Sequence, residues 1–422
     1  MRCDVVQTWL SRSGTCPLSF SITYPTSYSN ISNPKDDELP NEMFKILLSF
    51  VDRWSDVDIS MPEEICNKLQ GDMKPASFSF LKSLKLNLHR TSRGNSIQYP
   101  PIPILAAPGL CSITINAVQT TYGMTGQLVQ PIWNQLTHIT FASATIDKYF
   151  VFLLMQCPNL VFGNFMVVSS PWPDEALVDQ EDILLPCLES LSVNDSGAQM
   201  TIIFNAIKAP ALTKFSYQWT PSSAYDDPTI PFSAPMIPLL SNSTLITDIL
   251  LDGQLSSKDI QECLRCGERV THMVLGTPPH TDSSGHILYP PIFDQDVVRP
   301  DNFDLKLLSI GSSAVTPLPK LESLEAYSLE SLTDEDLLDL ITSRINAFKR
   351  GEIVALKCVK IYFQRSRQKD ITEEVSQLAK EAGIEVKLDL KYAPEGSRFF
   401  DHLSPSFGLT SNDCMWSSES IS

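Results

Sequence analysis

The chain has little glycine, 17 residues in 422, and no phosphate-cradling Gly-rich loop, Gly-x-Ser-x-Gly elbow or His-Glu-x-x-His helix. Without those frames nucleotide binding and the familiar hydrolase chemistries are not expected. We therefore assign no catalytic residue, no cofactor and no metal, and expect no enzyme. Basic residues are also short, 32 Lys and Arg against 49 Asp and Glu, for a formal charge of -17. A nucleic-acid partner is disfavoured, because phosphate binding needs clustered cations. Long apolar runs are missing as well. The longest, Tyr149 to Met155, is far below the roughly 20 residues that cross a bilayer. The start, Met1-Arg2-Cys3-Asp4, lacks the apolar core of a signal peptide. The ten cysteines are scattered from Cys3 to Cys414 without the dense spacing of a disulfide scaffold. The expectation is a cytoplasmic or nuclear monomer with no membrane contact.

What the chain has is leucine in a pattern. Hydrophobic residues make up 43%, enough for a folded core. Leu81-x-x-Leu84-x-Leu86, continued by Leu88, places Leu84, Leu86 and Leu88 on one face of a strand and Ser83, Lys85 and Asn87 on the other. The pattern returns cleanly at Leu110, Leu136, Leu188, Leu212, Val270, Leu305 and Leu356, and weakly at Leu160, Ile249 and Leu321. From Leu81 to Leu212 the successive offsets are 29, 26, 24, 28 and 24 residues. That is the period of a leucine-rich repeat, one strand plus a returning helix or coil.

Earlier in the chain, a short helix ends at Ser13-Gly14, and Leu18, Phe20 and Ile22 alternate as a strand. Tyr24 to Pro40 reads as a loop. Leu39 to Arg53 is helical by period, and Trp54 to Ile59 is again a strand; Pro62 to Gly71 is read as a short helix. Ala144 to Gln156 is an amphipathic return helix. Prolines recur just upstream of the motif, at Pro108, Pro158, Pro186 and Pro210, where they end a return helix and set an extended approach. Thr220–Pro235 and Thr277–Pro300 read as irregular loops. A helix capped at Thr333 runs to Arg350, followed by a strand at 356–363, a helix at 370–382 and a last strand at 384–390: a closing βαβ unit. The expected division is 1–75 for N-terminal helix–strand repeats, 76–332 for central repeats, 333–392 for the closing unit, and 393–422 for a disordered tail.

Two clusters invite chemistry. Cys263-x-x-Cys266 is the only close cysteine pair, with His272 and His280 downstream, but the spacing fits no standard zinc finger and His272 sits in an expected strand. The bland reading is two helix cysteines packed under the sheet. Asp334-Glu335-Asp336 reads as a solvated helix start rather than paired catalytic carboxylates.

The outward strand positions make the candidate surface. They are Ser83, Lys85 and Asn87; Thr114 and Asn116; His138 and Thr140; Ser192 and Asn194; Lys214, Ser216 and Gln218; Glu325 and Tyr327; and Lys360 and Tyr362. Parallel strands about 4.8 Å apart align them into one continuous concave face. Tyr327 and Tyr362 are the favoured anchors, since interface hot spots are rich in tyrosine.

The Trp9-Leu-Ser-Arg-Ser-Gly-Thr-Cys-Pro-Leu18 stretch, Arg53-Trp54 after an amphipathic helix, the repeated leucine strands and the closing elements at 333–344, 359–374 and 384–390 together carry a resemblance. The chain resembles the leucine-rich-repeat region of fungal, mushroom-type F-box-like proteins over residues 1–392. The resemblance implies a horseshoe solenoid that selects substrates for an SCF-type ubiquitin ligase, with an unknown target protein as partner. A Skp-type adaptor would bind only through an F-box, which no segment here supplies; it would lie upstream in the full gene. The alternatives are a stand-alone repeat scaffold or a truncated fragment. The usual repeat also has Asn three places after its last Leu, where this chain has His89, Val118, Ala144, Val168, Ser196 and Thr220. That departure implies irregular turns.

Overall fold

The computed structural model describes residues 2–24, 38–62, 66, 78–89, 103–117, 133–169, 182–219, 234–252, 257–276, 280–281, 287–288, 305–310, 316–329, 332–363 and 365–392. The strands in chain order are β1 (Leu18–Thr23), β2 (Trp54–Pro62), β3 (Ser83–His89), β4 (Ser112–Ala117), β5 (His138–Ile146), β6 (Phe162–Val168), β7 (Ile183–Leu184) and β8 (Ser190–Ser196). Then come β9 (Ile207–Lys208), β10 (Lys214–Trp219), β11 (Asp248–Asp252), β12 (His272–Leu275), β13 (His280–Thr281), β14 (Ile287–Leu288), β15 (Ser323–Leu329), β16 (Cys358–Phe363) and β17 (Lys387–Tyr392). Thirteen of them form one sheet in the order β1-β2-β3-β4-β5-β6-β8-β10-β11-β12-β15-β16-β17. All its pairings are parallel. The short pairs β7–β9 and β13–β14 stand apart from it.

Parallel pairing of successive strands requires a return segment between them. Helices supply several: Glu38–Leu48, Asp147–Gln156, Met200–Ala206, Ile237–Asn242, Ser257–Cys266, Asp334–Lys349 and Thr372–Glu381. One helix, Cys3–Arg12, precedes β1, and Arg53 ties it down by donating to the Leu10 and Cys16 carbonyls and to Ser13 Oγ. Among the described residues no helix is long and apolar enough to cross a membrane.

The strand register explains the leucine pattern. One core row runs Val57, Leu84, Ile113, Ile139, Gly163, Leu191, Phe215, Ile249, Met273, Leu324 and Val359. The next runs Ile59, Leu86, Ile115, Phe141, Phe165, Val193, Tyr217, Leu251, Leu275, Ala326 and Ile361. The side chains of both rows are buried, and each large one is worth about 1.5–3 kcal/mol of transfer free energy. Gly163 fits because a Cβ there would sit 2.6 Å from Phe165 Cε2. The Phe165 ring fills that space, 4.9 Å from Phe150 and 6.0 Å from Phe141 between centroids.

The leading apolar residue of each motif is buried just before its strand, in most of them at the end of a tight turn. Leu110 N–H donates to Ala107 O, Leu160 to Cys157, Leu188 to Leu185, Leu212 to Ala209 and Leu321 to Leu318. Pro108, Pro158, Pro186, Pro210 and Pro319 occupy the second position of these turns, where a fixed φ suits the geometry. So the prolines shape a turn into the strand rather than simply stopping a helix. One residue after the leading apolar position, each N–H donates to the matching carbonyl of the preceding repeat, unbroken from Lys82→Ser55 to Lys357→Glu322, and the last strand joins one place later through Lys387→Lys357. Thr137, Thr213 and Thr271 add their hydroxyls to the same line. The irregularity expected from the missing Asn does not touch these turns.

Several expectations are corrected. Leu305-x-x-Leu308-x-Ile310 is not a strand: Leu305–Leu308 is a 3-10 turn, and β12 pairs directly with β15. The segment Ala144–Ile146 belongs to β5, and the helix begins at Asp147. The motif at Ile249 is complete, because Ile246 is its buried leading residue. Asp334 is not solvated. It has no exposed surface and accepts from Arg365 Nη2 at 2.9 Å, from the Gln368 and Lys369 N–H groups at 2.8 Å each and from the Tyr392 hydroxyl at 3.0 Å. Thr333 caps that helix in a capping box with Asp336, and Gly351 follows it at φ 76°. The readings of the loop after Tyr24, the helix at 62–71, the loops at 220–235 and 277–300 and the tail at 393–422 lie largely or wholly outside the described residues.

Candidate functional site: the polar face of the sheet

Side chains between the two core rows point to the opposite face, so the register that buries the leucines also aligns the polar positions. One polar row reads Asp56, Ser83, Ser112, His138, Phe162, Ser190, Lys214, Asp248, His272, Ser323, Cys358 and Lys387. The next reads Asp58, Lys85, Thr114, Thr140, Asn164, Ser192, Ser216, Leu250, Val274, Glu325, Lys360 and Asp389. A third row is interrupted. It joins Asn87 to Asn116, Asn194 to Gln218, and Tyr327 to Tyr362 and Lys391.

The sixteen residues singled out from sequence therefore all stand on this face, but they form two different surfaces. From β3 to β10 the face is mostly small and uncharged, the exceptions being Lys85, held by Asp58 at 3.2 Å, Lys214, and the His138 and Phe162 rings. His138 stacks on Phe162 there, with centroids 6.1 Å apart. From β11 to β17 the face is charged and aromatic. Glu325 Oε2 accepts from the Tyr327 hydroxyl at 2.6 Å and from Lys360 Nζ at 3.2 Å. Tyr327 and Tyr362 stack at 4.8 Å, Lys360 lies 5.6 Å from both ring centroids, and Lys391 donates to the Tyr362 hydroxyl at 2.9 Å.

The electrostatics follow from this packing. Burial pushes Glu325 up, but the hydrogen bonds from Tyr327 and Lys360 outweigh it and hold the carboxyl below its usual range. Burial, then the bond to Glu325, pushes the Tyr327 hydroxyl up to about 12. Desolvation works against the Lys360 charge, yet its bonds to Tyr327 and Glu325 win and raise it. Glu325 and Lys360 therefore both stay ionised across the neutral range.

Tyr327 is a correction. Expected as an exposed anchor, it is 5% exposed, pinned under Tyr362 with its hydroxyl used by Glu325. Tyr362 remains half-buried and available. Asp248, His272, Phe162 and Lys391 were not singled out for this face from sequence. Asp248 and His272 each lie two places after their leading motif residues, Ile246 and Val270, as Ser83 lies after Leu81. That shared position was the signal that could have found them.

The cysteine pair sits elsewhere. Cys263 and Cys266 lie on the Ser257–Cys266 helix; burial pushes the Cys263 thiol up to about 12, and Cys266 Sγ meets Ser241 Oγ at 3.2 Å. A buried, protonated thiol is a poor metal ligand. Among the described residues no group of three or more His, Cys, Asp and Glu side chains converges on a point that could hold a metal. No protein-family model matches the chain, and no curated protein matches it either.

Proposed function

We propose that this chain is a protein-recognition domain, the substrate-selecting part of an F-box-like subunit of an SCF-type ubiquitin ligase. In this reading it is a leucine-rich-repeat solenoid, curved so that its polar face is concave and receives the target. The observation that carries the reading is the polar register, repeated strand after strand on a surface whose core side is fixed by leucine. Such a face gives a target many aligned hydrogen-bonding groups over a long span, with Tyr362, Lys360 and Lys391 as an aromatic and cationic end. The ligase role rests on the resemblance of the Trp9–Leu18 and Arg53-Trp54 elements and the closing unit to fungal F-box-like proteins. The test is affinity capture of the full-length gene product from its native host. Recovery of a Skp-type adaptor together with a target is expected; recovery of a target alone would leave a stand-alone scaffold. Capture of neither overturns the reading.

A further inference from the structure

His272 stands on the polar face with a carboxylate at each ring nitrogen. Nδ1 lies 3.4 Å from Asp248 Oδ1 on β11, and Nε2 lies 3.7 Å from Glu325 Oε1 on β15. The other oxygen of each carboxylate is already engaged: Asp248 Oδ2 accepts from Thr247 Oγ1 at 2.7 Å, and Glu325 Oε2 accepts from Tyr327 and Lys360. The oxygens aimed at His272 are the ones left over. A neutral imidazole has one N–H and one lone pair, whereas an imidazolium donates from both nitrogens. With one proton, therefore, one of the two carboxylates faces a lone pair. With two, an N–H of His272 faces a carboxylate on each of the two strands that flank its own, at ion-pair distance.

We propose that His272 is a proton-operated latch between β11 and β15 that sets the charge and stiffness of the charged end of the polar face. This deepens the recognition reading given above, since it adds a control on that same surface. The charged and titratable groups facing His272 among the described residues are Asp248 from β11, with Lys214 of β10 as its register partner, and Glu325 and Tyr327 from β15. Lys360 of β16 acts through Glu325. The His272 side chain is 36% exposed, so protons reach it from solvent. Histidine is the side chain that changes charge between about pH 5 and 8. The proton turns the group Asp248, His272, Glu325 and Lys360 from a net charge of minus one to zero. A target seated over these rows is then bound with a pH dependence that His272→Gln removes.

The decisive test needs no partner. In the full-length chain with 15N-labelled histidine, His272 is assigned by the signal that vanishes in His272→Gln, and its ring is followed by NMR from pH 5 to 8. Asp248→Asn and Glu325→Gln should each lower its titration midpoint by about half a unit or more, and Lys360→Gln should raise it. A midpoint that moves with neither carboxylate substitution overturns the latch. Circular dichroism identifies any variant that fails to fold, and if Glu325→Gln does so, Asp248→Asn alone decides. Failed capture of adaptor and target, with the midpoint shifts intact, would remove the ligase reading and leave the latch standing.

Discussion

Arg344 is the least expected side chain in the structure. It is 1% exposed, and its guanidinium meets carbonyls rather than a carboxylate: Leu308 O at 3.2 Å, Pro317 O at 3.3 Å and Leu318 O at 2.7 Å. Nε has no partner among the described residues, and burial pushes the group down to about 10, so it remains charged at neutral pH. The three carbonyls belong to the return chain leading into β15, where Leu318 takes a left-handed φ of 45°. Arg344 thus fastens that return chain to the Asp334–Lys349 helix. Arg344→Ala should destabilise the fold by about 3–5 kcal/mol, because it removes a buried cation and strands three carbonyls; urea unfolding measures this. The two stacked tyrosines should separate in the same way. Tyr327→Ala should lower stability by about 3 kcal/mol, as expected for deleting a buried ring. Tyr362→Ala should leave the melt nearly unchanged and weaken target capture about tenfold or more.

Among the elements, the closing unit has the clearest pH signature. Burial alone would raise Asp334, but Arg365, the Lys369 and Gln368 N–H groups and Tyr392 outweigh it and hold the carboxyl below its usual range. A depressed carboxylate contributes stability that is fully present above its unfolded value, near pH 4, and is lost as pH falls through the folded one. Asp334→Asn should therefore cost about 3 kcal/mol at pH 7. The difference from the unsubstituted chain should shrink below about pH 4; denaturant melts at pH 7 and pH 3 compare the two. None of this was legible in the acidic run at 334–336, because its four partners come from 365–369 and 392 and only folding brings them close. The strands were legible, since period-2 burial writes itself into Leu84, Leu86 and Leu88. The misreading at Leu305 has a physical cause. A spacing of three also places Leu305 and Leu308 on one side of a 3-10 turn, and both are buried there. At Ile246 the opposite happened: an isoleucine in the leading place hid a complete repeat.

For the molecule as a whole, each strand of the large sheet pairs only with its neighbours in the order. Stability in such an array is a sum of local and nearest-neighbour parts. The core-row side chains Leu18, Phe20 and Ile22 of β1 and Leu388 and Leu390 of β17 are only partly buried, unlike their counterparts in the middle. Native-state hydrogen exchange should therefore be slowest from β5 to β12 and fastest in β1 and β17. Uniform protection along the array would contradict this. Along the polar face Asp56, Asp58, Asp248, Asp252, Glu325 and Asp389 stand against Lys85, Lys214, Lys360, Lys387 and Lys391, six acids to five bases. Among the described residues this face is therefore nearly neutral, in a chain whose formal charge is -17. Target binding through it should change less than about threefold between 0.05 and 0.5 M salt, because a nearly neutral face has little long-range field to screen.

The line of turn hydrogen bonds from Ser55 to Lys357 divides the molecule into a ruler and a margin. Between β8 and β10 the chain spends 17 residues, positions 197–213, and between β12 and β15 it spends 47, positions 276–322. Yet Ser190↔Lys214 and His272↔Ser323 keep the same place in the register. Closing the longer excursion costs only about 0.9 kcal/mol more, since loop entropy grows with the logarithm of length. The spacing of the polar rows is thus uncoupled from the length of the segments between the strands. Lengthening such a segment away from its buried anchors should therefore leave every division of the ruler where it is.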